Sequence, residues 1–180
     1  MGGFFTNTRK PEGLGGRLMV AMMNWGHAPV ARWGRSFLRL KAGATILDLG
    51  CGGGANLAVL LKLCPDGTAV GLDYSSVSVK KASAVNCRAI AEGRCQVIQG
   101  DLEEAFQQVF RVLKPGGSFL VCNESNGEDP KQEKWCDIIG GMTIYTGERL
   151  FELLWAAGFI QVEIHQREDR NWLCVTAQKP

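Results

Sequence analysis

Three aspartates and one glycine run are the residues of this chain best suited to holding a polar, nucleotide-like ligand. Asp48 lies two residues before the sequence Gly50-Cys51-Gly52-Gly53-Gly54, Asp73 follows the apolar run Ala69–Leu72, and Asp101 follows Cys95–Gly100. Glycine permits positive φ and has no Cβ to keep a ligand off the backbone, and a helix that starts after such a turn points free N–H groups at the ligand. A carboxylate accepts paired hydrogen bonds from adjacent hydroxyls, the arrangement a ribose presents. Taken alone the glycine pattern is ambiguous, because Gly50, Gly52 and Ala55 also satisfy the dinucleotide fingerprint G-x-G-x-x-G/A. Of the two histidines, His27 stands at a break in the helical pattern before the glycine run and is the candidate general base. His165, on a terminal strand, is expected to be structural.

The elements that must position these residues read as alternating strands and helices. Strands are expected at Thr45–Leu49, Thr68–Leu72, Cys95–Gln99 and Ser118–Asn123, with an antiparallel hairpin of Ile160–His165 and Trp172–Ala177 at the end. Helices are expected at Ala55–Leu63, from a Ser75 or Ser76 cap to about Ala91, at about Glu103–Leu113, and from a Thr146 cap through Ala157. Asp73 falls 19 residues beyond Gly54, where a nucleotide fold places a ribose-binding acid. Before Thr45 the chain gives two shorter helical stretches, Arg17–Trp25 and one from Pro29 to about Leu40. The fold class is therefore α/β, a Rossmann-like, doubly wound and mainly parallel sheet with an antiparallel C-terminal hairpin.

Composition excludes several classes. No run approaches the roughly 18 apolar residues a membrane span requires, and Gly2–Arg17 lacks the pattern of a signal peptide, so a cytoplasmic protein without a membrane partner is expected. The seven cysteines form no C-x-x-C pair. Cys87, Cys95, Cys122 and Cys174 fall in segments that read as buried, so reduced core thiols are expected and no metal site. Up to Lys41 there are seven basic residues against the single acid Glu12, while the remainder holds thirteen against seventeen. The spacing of Arg32, Arg35 and Arg39 is that of one solvated helix face, so no nucleic-acid partner is expected.

With Asp48, the glycines, Asp73, Gly100-Asp101 and the turn Arg111–Gly117 (RVLKPGG) in view, the chain resembles the class I S-adenosylmethionine-dependent methyltransferases, in particular the small-molecule group called type 11. The resemblance runs in order from about Ala44 to Ala177. It implies a helical cap or lid over residues 1–43 and a cofactor-binding methyltransferase domain over 44–180. It implies S-adenosyl-L-methionine as cofactor, S-adenosyl-L-homocysteine as product, and a small-molecule methyl acceptor. By the same resemblance, Asp48, Gly50 and Gly52 hold the methionine portion, Asp73 accepts both ribose hydroxyls, Asp101 accepts from the adenine amino group, and Leu102 packs on the ring. Cys51 and Tyr74 adjoin these and complete the candidate set. Asn24, Trp25, Glu124 and Tyr145 are candidates for an acceptor pocket.

One departure bears on mechanism. Relatives carry a fourth strand and a further helix before the LKPGG turn, yet here only nine residues separate Asp101 from Arg111. If the next strand moved in beside the first, the chain would cross roughly 14 Å at about 4.8 Å per strand. Three residues span at most about 11 Å. The strand 4 region is therefore missing, a shortfall of about 30 residues around Leu102 to Ala105 by the usual βαβ length. Alternative functions that stay open are RNA methylation and a non-catalytic S-adenosylmethionine-binding module.

Overall fold

The structure, a computed structural model, describes residues 13–100, 105–129 and 144–180. They fall into two compact units, one of described residues 13–28 and 39–100, the other of 29–38, 105–129 and 144–180.

The first unit begins with α1 (Gly13–Gly26), then β1 (Thr45–Leu49), α3 (Ala55–Leu63), β2 (Thr68–Asp73), α4 (Ser76–Val85), α5 (Cys87–Ala91) and β3 (Cys95–Gln99); α2 (Ala28–Arg35) lies almost wholly in the second. Its three strands form a parallel sheet in the order β1-β2-β3, with Thr45 opposite Thr68 and Ala69 opposite Cys95. Strand side chains alternate between faces. On one face Ala69 and Cys95 pack with Leu57 and Leu61 of α3 and Ala82 of α4, with Ile46 and Val97 against them. Leu57 is fully buried there. Ser75 caps α4, its Oγ accepting from Ser78 N at 3.4 Å.

Sequence periodicity predicts one helix from Ser76 to about Ala91, but the structure breaks it at Asn86. The side-chain amide of that residue is buried and donates to Ala82 O at 2.9 Å and to Gly54 O at 3.0 Å. An amide that bonds the backbone one turn back competes with the helix's own ladder.

The second unit holds α6 (Ala105–Val112), β4 (Ser118–Asn123), α7 (Gly147–Ala156), β5 (Ile160–Arg167), a 3-10 turn (Glu168–Arg170) and β6 (Trp172–Gln178). Its sheet is antiparallel throughout, in the order β4-β6-β5, so the expected C-terminal hairpin is present. Thr146 caps α7 as expected, its Oγ1 accepting from Arg149 N at 3.2 Å. Leu150, Leu154, Phe159, Leu173 and Val175 make the core, and Phe159 stacks on Phe119 at 5.5 Å while meeting Phe110 edge-on at 5.0 Å.

The fold is thus α/β and Rossmann-like, with the glycine turn in the parallel sheet. Among the described residues β1 pairs only with β2, and β4 only with β6. Residues 101–104, where most of the shortfall was placed, lie outside the described residues. Cys51, Cys64, Cys95 and Cys174 are buried, whereas Cys87 is exposed because it opens α5 on the solvent side of the break at Asn86. No helix among the described residues is long and apolar enough to cross a membrane.

Candidate cofactor site

The glycine turn leaves β1 and is fixed at once to the neighbouring strand. Gly50 N and Cys51 N both donate to Leu72 O, at 2.8 and 3.0 Å, and Gly54 N closes the turn on Cys51 O at 2.9 Å. Gly50, Gly52 and Gly54 have φ of 68°, 53° and 76°, the left-handed region that a Cβ disfavours. The two later glycines differ in surroundings. A Cβ on Gly54 would stand 2.7 Å from Ala82 Cα and from Asn86 Nδ2, whereas one on Gly52 would meet nothing within 4 Å. Gly54 is nested on α4, and Gly52 faces open space.

Asp73, at the end of β2, braces this turn. Its Oδ2 accepts from Gly52 N and its Oδ1 from Ser75 N, each at 2.9 Å, and the residue is only 5% exposed. A buried carboxylate is costly unless hydrogen-bonded, and bonds to backbone N–H groups are of the strong, charge-assisted kind. Each oxygen keeps a second lone-pair direction for another donor. Asp48, on β1, accepts from Asn56 Nδ2 of α3 at 3.3 Å. Tyr74 O accepts from Gln99 Nε2 at 3.1 Å, which ties the end of β2 to that of β3.

The structure therefore brings Asp48, Gly50, Gly52, Asp73 and Tyr74 together around one turn. Cys51 is placed differently, with its side chain among Leu57, Ala69 and Cys95 in the core, so only its backbone remains for a ligand. Burial, with the charges of Asp48 and Asp73 adding to it, pushes its thiol up to about 12. Asp101 and Leu102 lie outside the described residues. His27 is exposed at the turn between α1 and α2, its N donating to Met23 O at 2.9 Å. His165 is structural, stacked on Phe37 at 3.9 Å with Nε2 3.1 Å from Thr176 Oγ1. Sequence reasoning passed over Asn56 and Asn86, the amides that hold Asp48 and the Gly54 carbonyl. Asn86 carries only the weak signal that Asn favours caps and turns over helix interiors, too little to place a break.

A family model described as a methyltransferase domain matches residues 40–105, the span that contains the turn, Asp48 and Asp73. The matched span is about a third of the chain, and it is this stretch that is similar to methyltransferase domains. The chain is 31% identical over 111 residues to botryococcene C-methyltransferase of Botryococcus braunii, covering 48% of this chain and 29% of that one. The chain therefore spans less than a third of that relative's length. An uncharacterized methyltransferase of Bacillus subtilis is 25% identical over 176 residues, with 83% of this chain and 91% of the relative covered. In fold, the chain is similar to a chain from the complex between the Haloferax volcanii Trm112 methyltransferase activator and a putative methyltransferase. There the TM-score is 0.80 at 20% identity, over 91% of this chain and 94% of that one.

The residues present fit S-adenosylmethionine. Gly52 leaves room for a ligand against its backbone, and Asp73 has spare acceptor directions. The geometry separates the two glycines experimentally. Gly52→Ala is expected to cost about 1–2 kcal/mol of stability from the left-handed φ alone, whereas Gly54→Ala adds about 1–3 kcal/mol of overpacking against α4. Urea denaturation of both variants checks the order. Alkylation with iodoacetamide at pH 8, followed by peptide mass mapping, is expected to label exposed Cys87 well before Cys51, whose thiol stays protonated below about 12.

Proposed function

We propose that this chain is a methyltransferase that transfers the methyl group of S-adenosylmethionine to a small-molecule acceptor. The observation that carries the reading is the Asp73 carboxylate, buried and bonded to the glycine turn, with acceptor directions left that suit ribose hydroxyls. The cofactor supplies a sulfonium-activated methyl group. The protein's own task is then to bind and orient. Asp48, Gly50 and Gly52 take the methionine end, Asp73 the ribose hydroxyls, and Asp101 with Leu102 the adenine; Cys51 and Tyr74 contribute backbone. Such a displacement is accelerated mainly by aligning acceptor, methyl and sulfur and by excluding water. Residues 1–43 act as a cap that limits water access, and His27 is the base for an acceptor that is protonated when it reacts. The reaction takes place in the cytoplasm.

The similarity to botryococcene C-methyltransferase supports a carbon as the acceptor atom, since that protein's name describes a C-methyltransferase. A second reading, in which turnover needs a protein partner, is favoured by the fold relative in a complex with a methyltransferase activator.

Turnover is tested with methyl-labelled cofactor against a panel of isoprenoid hydrocarbons, phenols and amines, each with S-adenosylhomocysteine release as readout. Labelled product from a panel member is the expected result. Cofactor binding without label transfer to any acceptor would favour the partner-dependent reading. His27→Ala is expected to lower kcat roughly 100-fold with little change in cofactor affinity, the usual scale for a general base. Unchanged turnover removes His27 from the reaction.

A further inference from the structure

The first unit has an apolar surface that cofactor binding does not use. On α1, Met19 and Val20 are buried, and the helix packs against α4. The same helix carries Leu18, Met22 and Trp25 at i, i+4 and i+7, one stripe of large apolar side chains. They are 57%, 51% and 85% exposed. A helix with a second apolar face presents that face to a second partner.

Charge identifies the kind of partner. The four helices of this unit, α1, α3, α4 and α5, contain five basic residues (Arg17, Lys62, Lys80, Lys81 and Arg88) and no aspartate or glutamate. Lys62, Lys80 and Lys81 are exposed, and Arg88 pairs with Glu92 just beyond α5. α1, α3 and α5 all pack against α4, so the helices that carry Lys62, Lys80, Lys81 and Arg88 belong to one layer. The layer also exposes Val59, Leu63, Val85 and Ile90. Acids of the unit sit at strand ends and turns instead, as Asp48, Asp66 and Asp73 do.

We propose that the Leu18–Met22–Trp25 stripe docks this protein on an anionic phospholipid surface, with the lysines of the helical layer supplying the attraction to lipid phosphate. Trp and aliphatic side chains beside cations are what the boundary between headgroups and acyl chains accommodates. A nucleic acid would use the cations and Trp25 but gain nothing from Leu18 and Met22. A second copy docked on this face would bring two acid-free cationic layers together, which like-charge repulsion opposes. The sequence expectation of no membrane partner rested on the absence of a spanning run, and a helix lying in the interface plane needs none. The proposal goes beyond the methyl-transfer reading and stands whichever acceptor is used.

The test is co-sedimentation of the full chain with vesicles of phosphatidylcholine containing one quarter phosphatidylglycerol, and with phosphatidylcholine alone. Binding to the first at least about tenfold tighter than to the second, weakening with salt, is the expected result. Met22→Ser/Trp25→Ser and, separately, Lys80→Glu/Lys81→Glu are each expected to lower that binding about tenfold or more, with thermal unfolding midpoints checked against wild type. The charge variant leaves the stripe intact, so it keeps the proposal falsifiable if the stripe variant fails to fold. No vesicle binding by the wild type overturns the proposal. So does vesicle binding unchanged in folded variants, a concentration-dependent dimer that the stripe variant loses while vesicles are ignored, or RNA binding in place of vesicle binding.

Discussion

The carboxylate of Asp73 is the constraint on which the first unit's glycine turn depends. One oxygen holds Gly52 N and the other Ser75 N, so a single side chain fixes both the glycine turn after β1 and the start of α4 after β2. Burying that charge is tolerable only because both oxygens are bonded. The left-handed φ values of the turn follow, since the backbone must curl back to present Gly52 N to an acid on the next strand. In the proposed reading stability and ligand recognition share one group, with the protein using two of its lone-pair directions and leaving two.

Around that group a set of amides does quieter work. Asn86 sacrifices the continuity of a helix to hold the carbonyl of Gly54, and Gly54 in turn has no room for a side chain beside Ala82. Asn56 holds Asp48 from the first turn of α3. The turn is thereby anchored on β2, α3 and α4, while a Cβ at Gly52 would meet nothing within 4 Å, which leaves space for a ligand's approach. Preorganisation of this kind lowers the ordering cost of binding.

Much of this was legible in the sequence, and the reasons are physical. Strands β1, β3 and β4 coincide with their expected limits because each is a short stretch built on two or more β-forming residues and ends at glycine or charge. The places of Asp48 and Asp73 beside the glycine turn were legible because strand limits and the turn sequence fix them, and ligands in open α/β sheets lie at strand carboxyl ends; their contact with a ligand belongs to the proposal. The break at Asn86 was not legible, since it depends on a carbonyl 32 residues away. Cys51 was assigned by adjacency to the glycines, but its side chain alternates into the core while only its backbone follows the turn. The second face of α1 was equally hidden, because periodicity reports that a residue is apolar and not which of two faces is covered.

The central claim is that Asp73 and the turn it braces bind S-adenosylmethionine. Calorimetric titration of the cofactor into the wild-type chain and into Asp73→Ala tests it most directly. Saturable one-to-one binding by the wild type, weakened at least about tenfold in a variant that remains folded, is the predicted result, since a hydrogen bond to a charged group is worth roughly 1.5–3 kcal/mol. No binding by the wild type, or equal affinity in the two proteins, would contradict the account.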